Sequence, residues 1–285
     1  MNQSKSYPKV LSIAGSDSSG GAGIQADLKT FSALGVYGAT AITAITAQNT
    51  QGVNSQFALE PQMVYDQIAA VMDDIEPSVV KIGMLSNTAI VEAVAKALHD
   101  YRPSFIVLDP VIVSSTGHRL LSIEAQETIK EKLIPIADLL TPNIPEMKAL
   151  TDSSLSSLEE KKEAAQQLFN LGAKAILLKG GHEEGEIKKD YLFFNGLKAK
   201  DKSLKSASVS EYASETVVTK NTHGTGCTLS SAIAAFIARG LSLEDAISEA
   251  KNYVTEAIRA GADIKIGKGI GPVNHSFNPQ KMIVL

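Results

Sequence analysis

The chain has 285 residues, is 44% hydrophobic and 20% charged, and carries a formal net charge of -4. That composition excludes a disordered or fibrous chain, and the mild acidity, with no dense Lys/Arg block, argues against a nucleic-acid or acidic-membrane surface. A single cysteine excludes an intrachain disulfide, no run reaches the roughly 20 apolar residues that span a bilayer, and polar residues 1–8 lack a signal-peptide core, so a cytoplasmic protein is expected.

Val10–Ala14 reads as a short buried strand, followed by a Gly/Ser-rich turn over Gly15–Gly23. Ile24, Leu28, Phe31 and Leu34 then recur at helical spacing, and Gly35 ends the helix. Ala39–Ala47 is expected as strand, Pro61–Ile75 as helix, Val79–Ile82 as strand and Asn87–Leu98 as helix. Phe105–Leu108 is a strand ending at Asp109, Ile123–Leu133 a helix, and Asp138–Thr141 a short strand stopped by Pro142. Leu158–Leu171 is a charged amphipathic helix and Ala175–Leu178 a strand. Tyr191–Phe194 followed by Asn195-Gly196 is a hairpin signal, so antiparallel strands are expected there. Ser203–Ser214 reads as loop, and helices over Thr225–Ala238 and Leu243–Ala260 close the chain. Short apolar strands alternating with helices predict one α/β domain over 1–285, with a mostly parallel sheet, helices on both faces and a small β excursion near 185–220.

The richest segment is Lys220–Thr228, where Gly224 and Gly226 open the apolar run that begins at Leu229. The first N–H groups of a helix lack internal partners and its dipole is positive there, so Gly224, Thr225 and Gly226 form a candidate cradle for an anion. Cys227 sits at the same entrance. A free thiol titrates near about 8.5, and a helix N-terminus with nearby cations would lower it, which makes Cys227 a candidate base. A buried inert thiol is the plainer alternative.

Three phosphate schemes compete. Gly15–Gly20 has the glycine spacing of a Walker A loop, but Gly21 stands where its lysine is required. Gly21-Ala22-Gly23-Ile24-Gln25-Ala26 matches a dinucleotide fingerprint in letters, yet the next strand ends in Gln48-Asn49 instead of the ribose-binding acid. The third scheme separates the two glycine regions: Gly224–Gly226 holds the transferring phosphoryl group, and Gly20–Gly23 lets a flat small substrate lie against backbone.

Motifs through most of the chain carry a resemblance. They are Ala14 to Thr30, Ala47 to Thr50, Lys81 to Leu85, Leu108 to Val111, Thr141-Pro142-Asn143 with Glu146, Lys179 to His182, Asn221 to Cys227 and Gly267 to Val273. In this order they resemble the ribokinase superfamily, and within it the bacterial hydroxymethylpyrimidine/phosphomethylpyrimidine kinases of thiamine biosynthesis. The resemblance implies a ribokinase-like three-layer sandwich, ATP and Mg²⁺ as cofactors, an aminopyrimidine substrate and a homodimer. It places Gly15, Ala22, Asp27, Gln48, Met84 and Val111 around the substrate. Gln48 offers both a donor and an acceptor to an aminopyrimidine, whereas the related pyridoxal kinases tend to have methionine at the matching place. Asp109, Asn143, Glu146 and Lys179 fall at the metal–phosphate end, with Asp109 and Glu146 meeting the metal through water. His223 is either a further phosphate donor or a loop histidine. His99, His118 and His275 have no metal-ligand spacing. The glycines at 267, 269 and 271 read as a flexible segment. The alternatives are a pyridoxal-type kinase, a non-catalytic nucleotide or pyrimidine sensor, and an oxidoreductase.

Overall fold

The computed structural model describes residues 5–112, 120–181, 185–195 and 209–285. His118, His182, Gly196 and the first part of the Ser203–Ser214 segment lie outside these residues.

Strand β1 (Lys9–Asp17) is buried almost throughout and runs into the first glycine turn. Helix α1 (Gly23–Ala33) follows, and Gly35, at φ 71°, ends it as the Val36 N–H bonds back to the Phe31 carbonyl. Strands β2 (Tyr37–Asn49) and β3 (Gly52–Ala58) form an antiparallel hairpin. Next come α2 (Pro61–Asp74), β4 (Val79–Ile82), α3 (Thr88–Tyr101), β5 (Phe105–Leu108) and α4 (Ile123–Lys132). A 3₁₀ turn at Ile134–Ile136 leads to β6 (Leu139–Leu140), α5 (Ile144–Thr151), α6 (Leu158–Asn170) and β7 (Ala175–Leu178). Strands β8 (Ile187–Phe194) and β9 (Val209–Glu215) precede α7 (Thr225–Ala238) and α8 (Leu243–Gly261). Several helices start on side-chain caps: Asn87, Ser122, Ser157 and Ser242 each accept a bond from a first-turn N–H.

Among the described residues the strands form one nine-stranded sheet in the order β3-β2-β1-β4-β5-β6-β7-β8-β9. The run from β2 to β7 is parallel, and β3, β8 and β9 are antiparallel additions at the two edges. Helices α2 to α6 cover one face through a core that includes Ile68, Val94, Ile129, Met147 and Leu168. Helices α1, α7 and α8 cover the other through Phe31, Ile233 and Ile247. The three-layer sandwich is therefore as expected.

Four local expectations need correction. β3 was not expected, because its residues are mostly polar and exposed along an edge and show no core-facing alternation. The segment after Pro142, for which no helix is expected, is the start of α5, with Pro145 in its first turn, where proline is tolerated. The β8–β9 pair is antiparallel as expected, with Gly196 outside the described residues, but β9 claims Val209–Ser214 from the expected loop. The Gly267–Gly271 segment is pinned to the β2–β3 turn: the Lys268 and Gly269 N–H groups donate to Thr50 Oγ1 at 3.1 and 3.0 Å, and Ile270 N–H donates to the Thr50 carbonyl at 2.8 Å. A Cβ at Gly269 would collide with that carbonyl, so this glycine serves close approach instead of mobility.

Candidate active site

Strand order reverses direction between β1 and β4, the topological switch where open α/β sheets bind ligands at the carboxyl ends of their strands. A cavity of about 810 Å³ opens there. Gly15 and Asp17 come from the end of β1, and Gln48 from the end of β2. Met84 follows β4, Asp109 and Val111 follow β5, Asn143 and Glu146 follow β6, and Lys179 follows β7; all of them line the cavity. Ala22, His223, Gly224, Thr225, Gly226 and Cys227 complete its wall. Of the expected site residues only Asp27 does not reach it.

At one end stands the α7 N-terminus. Gly224 is the N-cap at φ 82°, and a Cβ there would strike the Gly21 carbonyl, so the two glycine regions interlock and only glycine permits it. The Lys179 ammonium lies about 3.5 Å from where a Gly226 Cβ would sit, a cation beside the backbone cradle. Lys179 pairs with Asp109 at 2.7 Å and lies 3.8 Å from Glu146. Burial alone would lower the Lys179 pKa, but the two carboxylates outweigh it and hold the ammonium above its ordinary value. Asp109 is buried too. Lys179 and Lys81 nevertheless keep it below the usual carboxylate range, and Thr141 and Ser230 donate to its oxygens.

Asn143 and Glu146 form a capping box on α5. The Asn143 side chain accepts the Glu146 N–H, and Glu146 Oε2 accepts the Asn143 N–H, both at 2.8 Å. Asn143 is thereby a helix cap as well as a cavity residue. Burial, with the Asp109 charge adding to it, pushes Glu146 up to about 7 against the pull of Lys179. Among the described residues no group of three His, Cys, Asp or Glu side chains could hold a metal alone. With the Asp109 oxygens already bonded, the pair fits an outer-shell role toward hydrated Mg²⁺ held by substrate phosphates, and does not form a protein cage.

Cys227 is half-buried. The expectation of a lowered pKa is overturned: burial pushes the thiol up to about 11, and Asp27 and Asp109 add to the rise against Lys81. Beneath it lies an ion pair that the sequence reading did not isolate. The Lys81 ammonium, fully buried on β4, donates to both oxygens of Asp27 at 2.9 Å. Asp27 also accepts from Ser12 at 2.5 Å and Ser231 at 2.6 Å. Its carboxylate is thus satisfied by protein groups and closed off from the cavity, which corrects its assignment as a direct substrate partner. The missed signal was a lysine inside a four-residue buried strand.

Another part of the cavity is apolar. Met84, Val111 and Leu120 form an apolar wall, and Met84 lies close enough over Gly15 that a Cβ there would come within 2.8 Å of the sulfur. Gln48 lines the same cavity, and its backbone is stapled by Ser18: the Ser18 hydroxyl donates to the Gln48 carbonyl and accepts its N–H, both at 2.8 Å. Asp17 organises the glycine turn, accepting the N–H groups of Ser19, Gly21 and Ala22 and pairing with His223 at 2.8 Å. Burial opposes its ionisation, but the His223 and Ser19 bonds prevail and lower it to about 2. His223 is therefore tied to Asp17 and sits between the two glycine regions. A third wall, from Ser214–Val217, Lys251, Val254 and Ile258, was not anticipated. There Asp190 joins Lys251 at 2.6 Å and accepts the Gly180 N–H, fixing the residue that follows Lys179.

Residues 17–274 match the family model described as phosphomethylpyrimidine kinase. The hydroxymethylpyrimidine/phosphomethylpyrimidine kinase of Escherichia coli is 44% identical over 267 residues, covering 93% of this chain and 96% of that one. The thiamine biosynthesis bifunctional protein ThiED of Geobacter sulfurreducens is 46% identical over 276 residues; the match covers 96% of this chain but only 54% of that protein. Among solved structures, the ADP complex of Bacillus subtilis pyridoxal kinase superposes with a TM-score of 0.83 at 36% identity, covering 95% of this chain and 98% of that one.

Proposed function

The chain belongs to the phosphomethylpyrimidine kinase family and is a phosphotransferase, and from that premise we propose that this site phosphorylates 4-amino-5-hydroxymethyl-2-methylpyrimidine with ATP, first to the monophosphate and then to the pyrophosphate. The observation that carries the reading is the joining of three parts in one cavity: the α7 amide cradle with Lys179 beside it, Cys227 at the same helix entrance, and a wall carrying Gln48 and Met84, between which the ring would lie. The amides of Gly226 and Cys227 and the Lys179 ammonium neutralise the moving phosphoryl group, while that wall holds the attacking oxygen in line. Asp109 and Glu146 face the nucleotide phosphates, and Mg²⁺ would supply charge neutralisation there when bound. We extend the proposal to a cytoplasmic homodimer. Ile45 and Phe57, partners across the β2–β3 edge and 50% and 68% exposed, support a second copy at that edge.

Counting ATP consumed per pyrimidine tests the reading. Two equivalents are expected, one for each step, and no consumption removes the proposal in favour of a binding protein. A pyridoxal-type kinase is the second reading, supported by the fold match to such an enzyme. The Gln48 amide speaks against it, because methionine could not complement the amino and ring-nitrogen edge. Gln48→Met should lower kcat/KM for the pyrimidine about 10- to 100-fold, the worth of one to two lost hydrogen bonds in a closed site, with KM for ATP nearly unchanged. Equal losses toward both substrates would remove Gln48 from ring recognition.

Glu146 gives a pH prediction. With its carboxyl raised to about 7, it is protonated below that pH and ionised above it, and only the ionised form assists a hydrated cation. The kcat/KM for ATP should therefore rise about tenfold from about pH 6 to about pH 8. Glu146→Gln should flatten that rise. Identical profiles for the two proteins would exclude Glu146 as the titrating group.

A further inference from the structure

The Gln48 amide does not stand alone, and its neighbours determine which end is oxygen. The Asp17 carboxylate lies 2.8 Å from His223 Nε2. A carboxylate only accepts, so Nε2 carries a proton and donates it. The end of the Gln48 amide placed as Nε2 lies 3.3 Å from the same nitrogen. An NH₂ group there would set two donors face to face, so this end is the oxygen, sharing the Nε2 proton with Asp17. The other end lies 3.2 Å from Thr46 Oγ1. The Thr46 hydroxyl has one proton, within reach of both the Ser16 carbonyl at 2.9 Å and this end of Gln48; with the amide turned to meet Nε2–H, the proton goes to Ser16 and a lone pair remains for Gln48. That end is the NH₂. The Asp17–His223 contact thus selects the orientation, and the Thr46 hydroxyl accommodates it.

We propose that Asp17, His223 and Thr46 are positioning residues for substrate choice: they fix the polarity of the Gln48 amide so that its free edge presents oxygen and N–H in one order only. Each end of the amide spends one of its two bonding positions on the protein, leaving one acceptor and one donor side by side. A 4-aminopyrimidine edge matches this order, with its exocyclic amino group donating and its ring nitrogen accepting. A 4-oxo pyrimidine reverses it, because the ring N–H donates and the carbonyl accepts. An amide free to turn would serve both rings; the held amide discriminates. The inference rests on the pyrimidine reading above and adds which residues enforce it. It also gives His223 a place in the site: its N–H acts on Gln48 and Asp17 rather than on phosphate.

The test is calorimetric binding, without nucleotide, of 4-amino-5-hydroxymethyl-2-methylpyrimidine and its 4-oxo analogue. The wild-type chain should prefer the amino ring by about 30-fold, the cost of opposing two polar groups in a closed site. His223→Leu should bring the two within about threefold by freeing the amide, while His223→Gln, which returns an N–H at similar reach, should restore most of the preference. A merely structural role for His223 would weaken both rings together and leave the ratio intact, and that result overturns the proposal. Should His223→Leu fail to fold, Thr46→Val removes the other anchor, and an unchanged ratio in that variant overturns it equally. A wild-type chain that binds both rings alike defeats the inference while leaving the kinase reading standing. One that binds neither defeats both.

Discussion

Cys227→Ala is expected to slow phosphorylation of the alcohol by about 10²- to 10⁴-fold, with much less effect on phosphorylation of the monophosphate. In the first step the attacking hydroxyl must lose a proton. In the second the attacking phosphate oxygen is already ionised at neutral pH, so a base has less to do. The electrostatics sharpen the test. With burial holding the thiol near 11, the thiolate is scarce at neutral pH, and its fraction grows about tenfold per pH unit. A thiolate base therefore makes the alcohol step rise steeply from about pH 7 to about pH 9 while the phosphate step stays flat. A neutral thiol acting as a hydrogen-bond donor to the phosphoryl group predicts no such rise and equal damage to both steps. Single-turnover rates of the two steps across this pH range, in wild type and Cys227→Ala, separate these roles. Near-normal turnover in the variant would remove Cys227 from the chemistry.

The sandwich was legible because its strands and helices have clear periods and short connections. Val79–Ile82, Phe105–Leu108 and Ala175–Leu178 stand in the sheet where the apolar runs place them. What escaped was structure held by other elements. β3 is stabilised by pairing with β2 and not by its own pattern, and α5 begins at a capping box of Asn143 and Glu146, a role their motif alone does not display. In the site, the residues at strand ends were legible through their motifs. The environment of Cys227 was not, because the local sequence displays a helix N-terminus but hides that the thiol is partly buried and that Asp27 and Asp109 lie near it. The Asp17–His223 contact joins residues 206 positions apart and has no local signature.

Lys81→Met should destabilise the chain by about 3–5 kcal/mol, because it strands the buried Asp27 carboxylate without its cation. Ser12 and Ser231 would remain as donors, yet hydroxyls offset only part of a full charge. By the usual scaling, the melting temperature falls by about 10 °C. The double variant Lys81→Met/Asp27→Leu removes both charges and should recover most of the loss, since a buried ion pair contributes little net stability relative to apolar replacements of similar volume. The same two proteins report on Cys227. Lys81 is the charge that most opposes the rise in its thiol pKa, and Asp27 adds to that rise. Alkylation of Cys227 by iodoacetamide at about pH 9 should thus slow in the single variant and return toward the wild-type rate in the double. Recovery of stability without recovery of alkylation would mean the pair supports the fold but does not tune the thiol. A double variant as unstable as the single would mean that Lys81 contributes through the packing of its stem under Gly83, not through its charge.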